Sequence, residues 1–122
     1  MIVGVGIDIV GLEEFRARLS DALVQEIFLP DEIAYAASRA RPWESYAARF
    51  AAKEAAMKAL GAGLSQGVAW RDLEVLRGEN GDLGLRLAGR ALDLARGKGV
   101  TRCWVSASHS EATAAAVVVL EA

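Results

Sequence analysis

An alanine-rich segment near the middle of this 122-residue chain constrains its fold more than any other feature. The segment WESYAARFAAKEAAMKAL, from about Trp43 to Leu60, consists largely of alanine and other strong helix formers. Gly61 and Gly63 follow it, and glycine is common just past the C-terminus of a helix. The sequence therefore predicts one long helix here, beginning after Pro42.

Residues 2–10 are predicted to form a β-strand with two unlike faces. The odd positions from Val3 to Ile9 are apolar, whereas Gly4, Gly6 and Asp8 share the other face. Because glycine has no Cβ, this second face leaves room for something large to approach the backbone. A dinucleotide-binding loop is not favoured, because GVG lacks the third glycine and the following helix of that motif.

The remaining chain is predicted to alternate between helices and strands. Apolar residues at helical spacing from Leu12 to Ile27 predict an amphipathic helix packed on the first strand, and a short helix should begin near Pro30. Another helix is expected near residues 89–96. The apolar runs that predict strands lie at residues 70–77, 83–87, 103–108 and 113–120. Asn80 and Gly81 favour a type I′ turn in the first hairpin.

The composition indicates one compact domain and excludes some classes of function. Hydrophobic residues make up 53% of the chain, which is enough for a core, and a net charge of −2 does not favour nucleic acid binding. The apolar run at the start is interrupted by Asp8 and is far shorter than the roughly 20 residues of a membrane span. Cys103 is the only cysteine, so a reducing cytoplasm is the expected location.

Three charged residues form the most distinctive candidate site. Glu54 and Lys58 are four residues apart on one helix face, which an ordinary helical ion pair would also explain. Asp8 lies on the glycine-lined face of the first strand. Two carboxylates from separate elements suit Mg²⁺, which usually keeps waters and binds substrate phosphate oxygens, and Lys58 would add a cation for a phosphate.

Other candidates have a structural and a functional explanation. His109, the only histidine, lies at the end of a predicted strand in VSASHS, where it serves as a base, a phosphate contact or a structural residue. Residues 39–58 carry five basic and two acidic side chains. This basic segment suits an anion such as phosphate, and an ordinary solvated helix face explains it equally well. Cys103 is expected to be a buried core residue.

Three segments together resemble the holo-acyl-carrier-protein synthase family of 4′-phosphopantetheinyl transferases. They are GVGIDIV at residues 4–10, RFAAKEAAMKALGAG at 49–63 and WVSASHSEATAAAVVVLE at 104–121. Their order and spacing, and the length of the chain, match that family. The resemblance implies a single α+β domain over residues 1–122, with an antiparallel sheet and a long central helix, in the short form that assembles as a homotrimer with active sites between subunits.

The resemblance also implies roles for particular residues. Asp8 and Glu54 occupy the positions of the Mg²⁺ ligands, and Lys58 that of the active-site lysine. His109 matches a histidine in the final strand turn, and Arg49 with Lys53 matches positions near the coenzyme A phosphates. The implied reaction transfers 4′-phosphopantetheine from coenzyme A to a serine of apo acyl carrier protein and releases adenosine 3′,5′-bisphosphate. The proton acceptor is Glu54 or a metal-bound water.

Two alternatives to this enzyme remain open from the sequence. The first helix carries Glu13 and Glu14 where the family often has an arginine that docks the acidic carrier. A module that binds coenzyme A or a carrier protein without turnover is therefore the second hypothesis. A third hypothesis treats every charged residue as part of a solvated surface. The sequence does not distinguish a carrier of fatty acid synthesis from one of polyketide synthesis.

Overall fold

The long alanine-rich helix runs from Pro42 to Leu60 in the computed structural model, which describes residues 1–122. The five helices are α1 (Leu12–Arg18), α2 (Asp21–Ile27), α3 (Pro30–Ala37), α4 (Pro42–Leu60) and α5 (Gly89–Gly97). The five strands are β1 (Ile2–Gly11), β2 (Leu73–Arg77), β3 (Leu83–Leu87), β4 (Arg102–His109) and β5 (Thr113–Glu121). The predicted α+β class with antiparallel strands is confirmed.

The strands form two separate antiparallel units around α4. One is a three-stranded sheet in the order β1–β5–β4, and the other is the hairpin β2–β3. One side of α4 packs on the three-stranded sheet, while α1, α3 and β2 pack on other parts of its surface. The helix is therefore central, as predicted. None of the five helices has the length and apolar character needed to span a lipid bilayer.

The glycine-lined face of β1 receives α4. A Cβ atom at Gly4 would collide with the Ala59 carbonyl group, and one at Gly6 with the Ala55 carbonyl group. Both alanines belong to α4 and are buried. The bulky group expected to approach these glycines is therefore the chain's own long helix, whose small side chains allow the backbones to come close.

The prediction of one amphipathic helix packed on β1 is wrong in two respects. Its residues form two seven-residue helices, because Leu19 is extended and Ser20 begins a new helix by accepting a hydrogen bond from the Leu23 backbone N–H at 3.1 Å. The helix that packs on β1 is α4. As a result Val5, Ile7 and Ile9 are exposed, with Ile7 67% and Ile9 70% accessible.

The first hairpin has a different turn from the predicted one. Strand β2 begins at Leu73, after a short 3-10 turn at Trp70–Asp72, instead of at residue 70. Gly81 has a φ of +83°, but no residue other than glycine has a positive φ, so Asn80 does not adopt the type I′ conformation. The N–H of Gly81 instead donates to the Gly78 carbonyl oxygen at 3.0 Å.

A buried ion pair joins α4 to the surrounding elements. Lys53 and Glu32 are 0% and 2% exposed, and the Lys53 ammonium lies 2.9 Å from the Glu32 carboxylate. The same ammonium donates to the carbonyl oxygens of Ile27 and Leu73 at 2.9 and 2.6 Å. Glu32 also accepts hydrogen bonds from the backbone N–H groups of Leu29 and Val75. The pair thus connects α2, α3, α4 and β2.

We expect Lys53→Met to destabilise the protein by about 3–5 kcal/mol, because it leaves the Glu32 carboxylate buried without a counter-ion. Urea unfolding would measure the loss. Lys98→Met is the matched control, since Lys98 is exposed on the surface after α5. Equal unfolding midpoints for the two variants would contradict this role of Lys53.

Candidate active site

The packing of α4 on β1 brings together the three residues of the central sequence hypothesis. The Lys58 Nζ atom lies 3.1 Å from Asp8 Oδ1 and donates a hydrogen bond to the Ile7 carbonyl oxygen at 2.9 Å. Glu54 lies one turn before Lys58 on the same helix. The Asp8 side chain is 16% exposed and that of Lys58 is 53% exposed, so the group lies at the surface end of a partly buried site.

The electrostatics of Glu54 indicate that this site carries excess negative charge. Burial raises the pKa of the Glu54 carboxyl above its usual value, and the nearby charge of Asp8 raises it further. Lys58 opposes this by lowering the pKa. Two carboxylates with one shared lysine therefore favour an additional cation or a proton at this place.

Glu54 and Lys58 open onto a cleft of about 510 Å³, which we call the carboxylate cleft. The loop that follows α4 forms one wall, and Trp70 forms another. The Trp70 ring packs on Phe50 with the ring centroids 5.1 Å apart. No group of three or more His, Cys, Asp or Glu side chains is placed to hold a metal ion, so Asp8 and Glu54 form a pair of candidate ligands only.

His109 and Arg49 line a second cavity of about 530 Å³, which we call the arginine cavity. Its charged lining residues are Arg39, Arg41, Glu44, Arg49 and Arg77, and His109 also lines it. It shares no lining residue with the carboxylate cleft. Within one chain, the structure therefore divides the candidate residues into two groups and does not bring His109 to Asp8, Glu54 and Lys58.

Arg49 is buried without a carboxylate partner. It is 6% exposed, one of its terminal nitrogens donates to Ser45 Oγ at 2.9 Å, and its Nε has no hydrogen-bond partner. Burial lowers the pKa of the Arg49 guanidinium, although arginine stays charged in proteins. A buried cation with an unsatisfied donor is costly on its own, so this position favours a bound anion.

Lys53 does not fit its predicted place beside the coenzyme A phosphates. It is 0% exposed, and its ammonium is surrounded by Glu32 and backbone carbonyl oxygens. A ligand would have to displace this buried network to reach it. The prediction for Lys53 is therefore wrong, and the residue stabilises the fold.

Sequence reasoning missed part of both cavities. Tyr35 and Arg77 line the arginine cavity, and Trp70 lines the carboxylate cleft. Arg77 comes from the β2–β3 hairpin, far in sequence from the basic segment at residues 39–58. The only sequence feature that pointed to the arginine cavity was the basic segment at residues 39–58, because it contains Arg39, Arg41 and Arg49.

Comparison with known proteins defines the class of this fold. Residues 4–118 match the family model of the 4′-phosphopantetheinyl transferase superfamily. The chain is 45% identical to the holo-[acyl-carrier-protein] synthases of Geobacter sulfurreducens and Koribacter versatilis. Each alignment covers 99% of this chain, with 98% and 99% of the relatives, respectively.

Solved structures agree with the sequence comparison. The crystal structure of the Neisseria meningitidis synthase covers 100% of both chains with a TM-score of 0.88 and 32% identity. A Bacillus anthracis synthase in complex with CoA (3′,5′-ADP) has a TM-score of 0.84 and 35% identity, over 100% of this chain and 98% of that one. The chain therefore belongs to the holo-[acyl-carrier-protein] synthase family and is an enzyme of the phosphopantetheinyl transferase class.

We expect Glu54→Gln to raise the melting temperature of the metal-free protein at pH 7. The raised pKa means that the folded state binds the Glu54 proton more tightly than the unfolded state does. Ionised Glu54 therefore destabilises the fold above its folded-state pKa, and this cost disappears below the usual glutamate pKa of about 4.3.

Calorimetric melting at pH 7 and pH 4 with a chelator would test this expectation. The gain from Glu54→Gln should be present at pH 7 and largely lost at pH 4. Glu111→Gln, at an exposed position in the β4–β5 turn, should leave the melting temperature unchanged at both pH values. A loss of stability at pH 7 would show that ionised Glu54 does not strain this fold.

Proposed function

We propose that residues 1–122 act as a single catalytic domain that transfers 4′-phosphopantetheine from coenzyme A to a serine of apo acyl carrier protein, with Mg²⁺. Adenosine 3′,5′-bisphosphate is the other product. The observation that carries this proposal is the convergence of Asp8, Glu54 and Lys58, produced by the packing of α4 on β1. Relatives with 45% identity over nearly the whole chain are holo-[acyl-carrier-protein] synthases, which supports it.

Asp8 and Glu54 fit Mg²⁺ in the chemistry of their donors and in their charge. Mg²⁺ prefers hard oxygen ligands and commonly takes one or two carboxylates, with waters and substrate phosphate oxygens completing its shell. The raised pKa of Glu54 beside Asp8 reflects negative charge that a cation would compensate. When bound, Mg²⁺ would neutralise negative charge on the diphosphate of coenzyme A.

The chain's own residues position the reactants. The Lys58 ammonium is a compact cation held by Asp8 and the Ile7 carbonyl oxygen, and it is exposed enough to reach a phosphoryl oxygen. Glu54 accepts the proton of the carrier serine, a role that its raised pKa favours. The serine oxygen forms a bond to the phosphorus that carries the pantetheine arm. The bond from that phosphorus to the oxygen of the adenosine phosphate breaks.

The arginine cavity supplies the second part of the proposed binding site. Arg49 and His109 would contact anionic groups of the nucleotide portion of coenzyme A, which is compatible with the unpartnered Arg49 guanidinium. The carrier would dock near α1, where Glu13 and Glu14 precede the exposed Arg16 and Arg18. Arg16 stacks over Trp43 at 3.7 Å from its ring centroid, so this arginine has a defined orientation.

We further propose a homotrimer in which one subunit's carboxylate cleft and the next subunit's arginine cavity form one active site. The two cavities share no lining residue within a chain. The face of the three-stranded sheet that points away from α4 exposes Ile7, Ile9, Trp104 and Val117, a contiguous apolar surface of the kind that mediates assembly.

The intact mass of an apo acyl carrier protein, measured after incubation with this enzyme, coenzyme A and Mg²⁺, tests the transfer. We expect a gain equal to one phosphopantetheine group, and loss of that gain with a chelator. Asp8→Ala should lower the rate by about a hundredfold or more, because an electrostatic group at the reacting diphosphate is removed.

Asp93→Ala is the matched control for this assay, since Asp93 is exposed on α5 and outside both cavities. Full activity of Asp8→Ala would overturn the site. If the wild-type protein modified none of several carriers, the protein would instead be a module that binds coenzyme A or a carrier without turnover.

Sedimentation equilibrium tests the assembly. The wild-type protein should be a trimer, and Ile9→Lys should be a monomer with little transfer activity, because a charge replaces an apolar side chain in the proposed interface. Leu76→Lys makes the same kind of change at an exposed position on β2 and should remain trimeric and active. An Ile9→Lys monomer with full activity would contradict the shared site.

A further inference from the structure

Tyr35 is in contact with three arginines that come from different parts of the fold. The Arg49 Cζ atom of α4 lies 4.4 Å from the Tyr35 ring centroid. The Cζ atom of Arg77, at the end of β2, lies at 5.2 Å, and that of Arg39, just past α3, at 5.6 Å. All four side chains line the arginine cavity. The tyrosine is thus the common neighbour of most of its positive charge.

These three arginines are not neutralised by the protein. None of them forms an ion pair; the ion pairs of the protein are Arg41–Glu44, Lys53–Glu32, Lys58–Asp8 and Arg86–Glu74. Glu44, the only carboxylate that lines the cavity, is 3.7 Å from Arg41. Three guanidinium groups repel each other, so something other than a carboxylate must favour their common placement.

The face of an aromatic ring attracts a cation without carrying a net charge. An acid at position 35 would also gather the arginines, but it would cancel part of the charge available to a ligand. Tyr35 gathers these three arginines without cancelling their charge. That arrangement fits a doubly charged phosphate monoester, whose charge is near −2 at neutral pH.

Coenzyme A carries phosphate in two places, the diphosphate that reacts and the 3′-phosphate of its ribose. The reacting diphosphate must lie at the carboxylate cleft, and the arginine cavity shares no residue with that cleft. Resting on the function proposed above, we infer that Tyr35 is a specificity-determining residue. It positions Arg39, Arg49 and Arg77 for the 3′-phosphate monoester, so that coenzyme A is preferred over dephospho-coenzyme A.

Steady-state kinetics with both substrates test this role. Tyr35→Leu should raise KM for coenzyme A by roughly five- to tenfold, in line with the loss of a partly desolvated cation–π contact. It should change KM for dephospho-coenzyme A by less than about twofold, because that substrate lacks the 3′-phosphate. The kcat at saturating coenzyme A should stay close to that of the wild type.

Two further variants separate the ring face from the shape of the side chain. Tyr35→Phe keeps the ring and should restore most of the low KM for coenzyme A, whereas Tyr35→Met fills similar space without a ring and should behave as Tyr35→Leu does. A change in KM of equal size for both substrates, or a low KM for coenzyme A in Tyr35→Met, would overturn the inference.

Direct binding separates this inference from the proposed reaction. Titration calorimetry compares adenosine 3′,5′-bisphosphate with 5′-AMP, and neither measurement needs turnover. The wild-type protein should prefer the bisphosphate, and Tyr35→Met should lose roughly five- to tenfold of that preference. An unchanged preference in Tyr35→Met would overturn the role of Tyr35 while leaving the transferase reaction intact. A wild-type protein with this preference but no transfer activity would overturn only the reaction.

Discussion

The close approach of α4 to β1 determines the spacing of Asp8, Glu54 and Lys58. Gly4 and Gly6 leave no side chain between the strand and the carbonyl groups of Ala55 and Ala59. At this separation Lys58 reaches both Asp8 and the backbone of β1. The two backbones and the small buried side chains pack densely here, so the contact has little freedom to relax. The geometry of the site is therefore set by the core.

The protein holds charged side chains in three distinct environments. Lys53 and Glu32 are fully buried and mutually compensated, and they join four elements. Around Glu54 and Asp8 the negative charge exceeds what Lys58 provides, and around Tyr35 the positive charge of the arginines is left uncompensated. Uncompensated charge lowers stability, and here it is found around the two proposed binding sites and not in the core.

Local sequence patterns predicted the elements well and their packing less well. Alanine content and flanking glycines gave the bounds of α4 to within a residue, because helix propensity and capping act locally. The exposure of Ile7 and Ile9 could not be predicted, since either face of β1 could have met a helix and the choice depends on a tertiary contact. Similarly, Lys53 and Lys58 look alike in sequence, yet α3 and β2 enclose only the first. Asp8, Glu54 and Lys58 could be selected as candidates from the sequence. Glu54 and Lys58 are four residues apart on one helix face, and Asp8 lies beside the glycines of the first strand.

The alternation of side chains along β1 has a consequence for how the chain can misfold. Ile7 pairs with Val117 and Asp8 with Ala116 on β5. A slip of one residue would turn Asp8 to the apolar outer face and push isoleucine side chains against α4, where only glycine fits. The shifted pairing is thus unfavourable on both faces of the strand. On the outer face the Asp8 carboxylate would lie among apolar side chains, and on the inner face isoleucine side chains would overlap α4. The register of β1, and with it the position of Asp8, is therefore fixed by the cost of every one-residue shift.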